Sequence, residues 1–118
     1  MKNHSLLRRI QYACAGIKAS WQSENSFRLQ VGALTLVVIL LLTTKPDAAW
    51  WALLLLTSGG VLAAELINSA VEKLIDHLHP GQHATLKTVK DTLAGAVLVM
   101  SIAALLVFAA FLWSRISR

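Results

Sequence analysis

The chain has 118 residues, of which 56% are hydrophobic and only 14% are charged. This composition supplies too little polar surface for an ordinary soluble domain of this length, and it indicates a membrane protein. The net charge of +5 raises nucleic acid as a partner, but in a chain dominated by apolar segments a basic excess reports topology and anionic lipid. We therefore predict no nucleic-acid partner.

The first predicted element is an amphipathic helix over residues 5–23. Between Leu6 and Trp21 the apolar residues recur at spacings of three, four and seven, with Arg8, Arg9 and Lys18 between them. We expect such a helix to lie on the membrane surface, with its apolar face in the headgroup boundary and its cations toward anionic lipid. A helix that packs only on the spans of its own chain is the alternative.

Three apolar segments follow, and each reaches the roughly 20 residues that a bilayer core requires. The first span is predicted over residues 26–44 and ends where Pro46 stops the helix. The second is predicted over 48–79 and the third over 88–114. The sequence therefore predicts an all-α membrane protein with one domain over residues 1–118, a surface helix and three transmembrane helices.

The second span is longer than a bilayer requires. It begins at the interfacial pair Trp50 and Trp51 and has no helix breaker before Pro80. About 32 residues at a rise of 1.5 Å per residue give roughly 48 Å, against about 30 Å of hydrocarbon. Its C-terminal third must reach the cytoplasmic interface or extend beyond it.

The distribution of Lys and Arg predicts the orientation of the spans. Eight cations precede the first span or flank the loop between the second and third, and three lie on the opposite side. The eight are Lys2, Arg8, Arg9, Lys18, Arg28, Lys73, Lys87 and Lys90, and the three are Lys45, Arg115 and Arg118. Because cations collect on the cytoplasmic side, we predict a cytoplasmic N-terminus and a periplasmic or extracellular C-terminus.

Acidic residues are concentrated at the cytoplasmic end of the predicted bundle. On the second span Glu65, Asn68, Glu72 and Asp76 fall within about 80° of one another and form one polar stripe. A carboxylate at the depth of Glu65 costs a few kcal/mol, and such a cost is usually tied to a partner or to function. Desolvation makes Glu65 a suitable general base toward a lipid hydroxyl.

Glu72, nearer the water, is better placed to bind a hard cation, and Glu24 at the foot of the first span is its predicted partner for magnesium. Lys90 and Asp91 open the third span, where a cation can hold nucleotide phosphate. Taken by spacing alone, the stripe is also open to two other interpretations. These are polar contacts between helices and an ion or proton path in a small transporter.

Three histidines surround the break between the second and third spans. Histidine is a common metal ligand, so His77, His79 and His83 could form a metal cluster. They fall, however, in a predicted exposed loop without a nearby cysteine. We expect a solvated loop there.

One segment of the second span has a specific likeness to a known family. It runs from Glu65 to Glu72 and reads Glu-Leu-Ile-Asn-Ser-Ala-Val-Glu. Together with Asp76 and Lys90-Asp91, it resembles the signature of the prokaryotic diacylglycerol kinases. The likeness extends to Trp21, Glu24, Phe27 and Arg28 before the first span, and the three-span layout covers nearly the whole chain.

The resemblance implies a homotrimer in the bacterial inner membrane, with active sites shared between neighbouring protomers. ATP would bind with Mg²⁺ on the cytoplasmic side, and the lipid would enter from the bilayer. Glu65 matches the catalytic base, and Glu24 and Glu72 match the metal ligands. The expected nucleotide-binding residues are Tyr12, Glu24, Glu72, Asp76, His83, Lys90 and Asp91. The expected lipid-binding and supporting residues are Trp21, Arg28, Asn68, Ser69, Ala94 and Trp113.

The resemblance leaves two acceptors. Ala94 stands where Gram-negative diacylglycerol kinases usually have a serine near the lipid, and the run Ala94-Gly95-Ala96-Val97 is similar to the branch that phosphorylates undecaprenol. We predict transfer of the ATP γ-phosphate to diacylglycerol, giving phosphatidate, with undecaprenol as the alternative acceptor.

Overall fold

The computed structural model describes residues 4–117, so Lys2 and Arg118 of the charge count lie outside the described residues. Within this part of the chain every regular element is an α-helix, and three of the four are long and apolar enough to cross a membrane. The predicted all-α membrane architecture is confirmed. In chain order the helices are α1 (Leu6–Ser23), α2 (Asn25–Thr44), α3 (Ala48–Leu78) and α4 (Ala84–Ile116).

Helix α1 starts at a side-chain cap and ends at a sharp change of direction. The Ser5 hydroxyl accepts a hydrogen bond from the Arg8 N–H at 3.3 Å, which satisfies one of the free donors of the first turn. Glu24 has extended backbone angles and separates α1 from α2. The apolar residues Leu6, Ile10 and Ile17 are exposed, so among the described residues the spans of the same chain leave this face uncovered.

Helices α2 and α3 form an antiparallel hairpin with a very short connection. Lys45 adopts the left-handed conformation after the last residue of α2, and its N–H donates to the Leu41 carbonyl at 2.9 Å. Such a residue ends a helix while satisfying one of its last carbonyls. The chain then turns through Pro46 and starts α3 after Asp47. Because the connection is short, the positions of α2 that face α3 are fixed along the whole hairpin.

Helix α4 starts four residues before the predicted third span and ends at Ile116, two residues after it. The helix starts early because of a cap that was not predicted from the sequence. The His83 side chain accepts a hydrogen bond from the Thr85 N–H through Nδ1 at 3.2 Å, and no breaker interrupts the residues that follow. The other helix bounds differ from the predicted ones by one residue at most.

The packed core lies at the end of the bundle opposite the acidic stripe. Leu41 of α2, Leu54 of α3 and Phe111 of α4 are fully buried there, and the Trp50 ring meets Phe111 edge to face at 5.6 Å. Helix α3 packs most extensively on α4 and less on α2, whereas among the described residues no Cα atom of α2 lies within 8 Å of one in α4. Helix α3 is therefore the central element that positions the other two spans.

Helix α4 packs against α3 at a glycine, Gly60. A Cβ built on Gly60 would lie 2.3 Å from Met100 Cε, whereas one built on the neighbouring Gly59 would meet nothing within 4 Å among the described residues. Small residues at such points let two membrane helices approach closely. The pair offers a matched test, since both glycines lie on the same helix at the same depth.

We expect Gly60→Leu to lower the free energy of unfolding by about 1–3 kcal/mol, because the new side chain displaces Met100 and separates α3 from α4. Gly59→Leu, at the uncovered position, should have a smaller effect. The unfolding midpoint of the purified protein in detergent measures both. Equal midpoints for the two variants would contradict the packing of α3 on α4.

Candidate active site

Glu65 lies on the face of α3 that packs against α2. It is only 8% exposed, and Ser69, one turn further along, is 5% exposed. Leu54 and Val61 are buried on the same helix at spacings that bring them to this face. The packing face of α3 is therefore apolar at Leu54 and Val61 and polar at Glu65 and Ser69, toward the C-terminal end of the helix. A buried carboxylate at that point requires a hydrogen-bond donor.

The donor comes from the first turn of α2. The Ser26 hydroxyl donates to Glu65 Oε2 at 3.2 Å. In the opposite direction, the Ser69 hydroxyl of α3 donates to Glu24 Oε1 at 3.1 Å. Two serine–glutamate pairs thus cross this interface in opposite directions. We call these four residues the serine–glutamate clamp, and it brings the predicted base and one predicted metal ligand to the same interface.

The backbone that carries Glu24 is held by Arg28. The Arg28 guanidinium donates from Nη1 to the Trp21 carbonyl at 2.8 Å and also hydrogen-bonds to the Asn25 side chain. Because α1 ends immediately before Glu24, these bonds satisfy polar groups at the junction and fix its bend. Arg28 and Trp21, predicted as lipid-binding or supporting residues, therefore meet at the α1–α2 junction. The Trp21 side chain itself is 46% exposed.

The predicted metal ligands Glu24 and Glu72 are both half-buried. Ser69 hydrogen-bonds to Glu24, and Glu72 lies one turn after Ser69 on α3. Among the described residues no group of three or more His, Cys, Asp or Glu side chains converges as a metal site. Two carboxylates nevertheless fit Mg²⁺, which prefers oxygen ligands and commonly takes one or two carboxylates together with substrate phosphates.

A polar cleft lies where α3 ends and α4 begins. It has a volume of about 550 Å³, and its lining includes Asp76, Gly81, His83, Lys87 and Lys90. Lys90 Nζ bonds to Asp76 Oδ1 at 2.5 Å, which joins the two helices. The start of a helix and two lysines make the cleft attractive to an anion.

The remaining predicted nucleotide residues divide into two groups. Asp91 lies beside the cleft, because it bonds to Lys87 Nζ at 2.7 Å. Tyr12 does not line the cleft, and its exposed ring packs edge to face on His4 at 5.3 Å. The loop histidines His77, His79 and His83 are exposed, with His79 and His83 in edge-to-face contact at 5.5 Å.

Three of the predicted lipid-binding or supporting residues lie on the spans without a polar contact to the clamp. Asn68 is half-buried, and its side-chain oxygen Oδ1 is buried without a hydrogen-bond partner among the described residues. Ala94 is exposed on α4. Trp113 is 70% exposed near the other end of that helix, roughly 28 Å further along its axis. The structure does not bring Trp113 to the clamp.

Three residues of this region were not predicted from the sequence as site residues. Ser26 and Glu65 lie at nearly the same sequence distance from Pro46, on opposite sides of it. An antiparallel hairpin with a tight turn at Pro46 would therefore place the two residues opposite each other. Lys87 precedes Asp91 by four residues, a spacing that brings side chains together on a helix. Lys73 Nζ donates to the Ser23 hydroxyl at 3.1 Å and ties α3 to the end of α1, and no local signal indicates that contact.

Comparison with known proteins agrees with the family resemblance over most of the chain. The family model for prokaryotic diacylglycerol kinase matches residues 11–112. The chain is 29% identical to a protein named diacylglycerol kinase from Escherichia coli (strain K12) over 110 residues, 93% of this chain and 90% of the relative. The relative of that name from Shigella flexneri gives the same values. A Synechocystis protein, also named diacylglycerol kinase, is 36% identical over 105 residues, which is 87% of this chain but 59% of that protein.

The Asp76–Lys90 and Ser69–Glu24 contacts differ in burial, so we expect them to contribute differently to the free energy of unfolding. Asp76 and Lys90 form an exposed ion pair between flexible side chains, and we expect Asp76→Asn to cost less than about 1 kcal/mol. Ser69 is buried and bonds to a carboxylate, so Ser69→Ala should cost about 1.5–3 kcal/mol. Denaturation of the two variants in the same detergent measures the order, and a larger loss for Asp76→Asn would contradict it.

Proposed function

Because the chain belongs to the prokaryotic diacylglycerol kinase family, and is on that ground a lipid kinase, we propose that it transfers the γ-phosphate of ATP to diacylglycerol. The products are phosphatidate and ADP. The observation that carries this proposal is the serine–glutamate clamp, which holds one buried and one half-buried carboxylate at the interface between α3 and the start of α2. A third carboxylate, Glu72, lies further along α3, and the cleft around Lys90 lies where α3 ends and α4 begins.

Glu65 is the proposed general base. Its Oε2 accepts from Ser26, which leaves Oε1 to accept the proton of the lipid hydroxyl. As that proton leaves, the hydroxyl oxygen forms a bond to the γ-phosphorus, and the bond between this phosphorus and the β–γ bridging oxygen breaks. General-base assistance is worth about 10²- to 10⁴-fold, so the remainder of the acceleration must come from positioning and from charge neutralisation.

Glu24 and Glu72 are the proposed ligands of Mg²⁺, which supplies charge neutralisation at the nucleotide phosphates. The proposed nucleotide site comprises the cleft residues Asp76, His83 and Lys90, with Asp91 beside them and Tyr12 from α1. Lys90 is already paired with Asp76. Because that pair is exposed and contributes little to stability, Lys90 can exchange Asp76 for a phosphate oxygen at small cost.

The assembly proposed for this activity is a homotrimer in the bacterial inner membrane, with the N-terminus in the cytoplasm and sites shared between protomers. Two observations support additional chains around this one. Only five apolar residues are buried among the described residues, and α2 and α4 leave a groove of about 290 Å³ between them over α3. The distribution of Lys and Arg supports the orientation.

Undecaprenol is the second candidate acceptor, and Ala94 is the residue that favours it. The relatives named above carry the name diacylglycerol kinase, which favours diacylglycerol. Both acceptors present a hydroxyl to Glu65, so the chemistry of the site is the same for either. A small ion or proton transporter is the candidate from a different class, and it would move ions across liposomes without consuming ATP.

Replacing Glu65 tests the base directly. We expect Glu65→Gln to lower lipid phosphorylation by about 10²-fold or more, because the amide cannot accept the proton. Asp47→Asn is the matched control, since the same change is made to a carboxylate at the opposite end of the hairpin, and it should retain turnover. Purified variants are assayed with labelled ATP, Mg²⁺ and either diacylglycerol or undecaprenol.

Labelled product from undecaprenol alone would support the proposed mechanism and replace diacylglycerol by undecaprenol as the acceptor. Absence of labelled lipid with both acceptors in the unaltered protein would contradict the kinase proposal. Ion flux through liposomes without ATP consumption would then favour the transporter. Equal activity of Glu65→Gln and Asp47→Asn would remove Glu65 from the reaction.

A separate prediction concerns the metal. Glu24→Gln and Glu72→Gln should each raise the Mg²⁺ concentration for half-maximal turnover by about tenfold or more, because each removes a carboxylate ligand. Asp47→Asn should leave this concentration unchanged. Titration of turnover with Mg²⁺ at saturating lipid measures it, and an unchanged Mg²⁺ dependence in both glutamate variants would contradict the ligand assignment.

A further inference from the structure

Ser26 is a polar residue of α2 whose hydroxyl is directed at the buried Glu65 of α3. We propose that Ser26 is a positioning residue for the general base: its hydrogen bond orients the Glu65 carboxylate so that one oxygen is directed at the acceptor hydroxyl. This inference rests on the proposed lipid kinase function, because it assigns Ser26 a role through Glu65.

The geometry limits what the Glu65 carboxylate can do. A glutamate side chain has three rotatable bonds, and a terminal carboxylate otherwise rotates over a broad range. The 3.2 Å hydrogen bond from Ser26 occupies Oε2, while burial to 8% exposure restricts the alternatives. One oxygen is thereby held, and Oε1 is the atom left for proton transfer. Positioned groups of this kind gain rate by avoiding reorganisation during the reaction.

Ser26 can position Glu65 because its own backbone is fixed. The adjacent Phe27 is buried, and Arg28 binds the Trp21 carbonyl at the end of α1. The donor hydroxyl therefore extends from a segment anchored on both sides. A serine on a mobile loop would move together with the carboxylate and would not restrict its orientation.

The position of Ser26 also couples the base to the proposed metal site. Glu24 lies two residues earlier on the same junction and receives a hydrogen bond from Ser69 of α3. Glu65 and Glu24 are therefore each held across the same helix interface by the clamp. The distance between the base and the metal ligand is set by one local structure, which is what an in-line transfer between two bound substrates requires.

The test compares Ser26→Ala, Ser26→Thr, Glu65→Gln and the control Ser58→Ala. Ser58 is a half-buried serine on α3, two turns before Glu65. The Ser58 side chain lines the groove between α2 and α4. We expect Ser26→Ala to lower kcat about tenfold, the loss typical for a hydrogen bond to a charged group. KM for ATP and for lipid should stay within about twofold, since Ser26 contacts neither substrate in this account.

Two further readouts separate positioning from a general structural role. Ser26→Thr keeps the hydroxyl and should recover most of the kcat. In the Glu65→Gln background, Ser26→Ala should change the residual turnover by less than about twofold, because the group through which it acts is already altered. Ser58→Ala should retain kcat, and its unfolding midpoint is compared with that of Ser26→Ala.

Unchanged kcat in Ser26→Ala, with Glu65→Gln inactive, would overturn this inference and leave the proposed function in place. A matched fall in kcat for Ser26→Thr, or a fall accompanied by raised KM and a lower unfolding midpoint than that of Ser58→Ala, would also overturn it. Absence of lipid phosphorylation in the unaltered protein would overturn the inference together with the proposed function.

Discussion

The arrangement of the whole site depends on the short connection between α2 and α3. Lys45 closes α2 in a left-handed conformation, and α3 resumes after Asp47, so neither helix can slide far along the other. Side chains at similar distances from the turn must then face one another. At the far end of the hairpin this rule brings Ser26 opposite Glu65 and Ser69 opposite Glu24. A tight turn near one membrane surface thus fixes the chemistry near the other.

The hairpin also makes a buried carboxylate tolerable. A charge on the packed face of α3 would cost several kcal/mol without a donor, and a serine on α2 meets that requirement without adding a second charge. A lysine or arginine there would form a salt bridge and occupy the carboxylate more completely. The serine satisfies one oxygen of Glu65 and leaves the other available, which is the arrangement that a general base requires.

Much of the helical architecture can be predicted from the sequence, because apolar runs, Pro46 and Pro80 define the spans. The stripe from Glu65 to Asp76 is also visible as helical periodicity. Contacts between helices are harder to predict, since the Arg28 bonds to the junction and the His83 cap depend on backbone directions that no local pattern encodes. The family resemblance assigned Tyr12 to the nucleotide and Trp113 to the lipid, but within the described chain Tyr12 does not line the cleft and Trp113 is exposed near the end of α4.

The most direct test of this account measures the proximity of positions 26 and 65 within one chain. Ser26→Cys and Glu65→Cys are combined in a Cys14→Ser background, spin-labelled, and diluted with unlabelled protein before the EPR spectrum is recorded in bilayers. We expect strong dipolar broadening that survives dilution, because α2 and α3 of the same chain hold the two positions together. Spectra without broadening, or broadening that disappears on dilution, would contradict the hairpin register on which the proposed site depends.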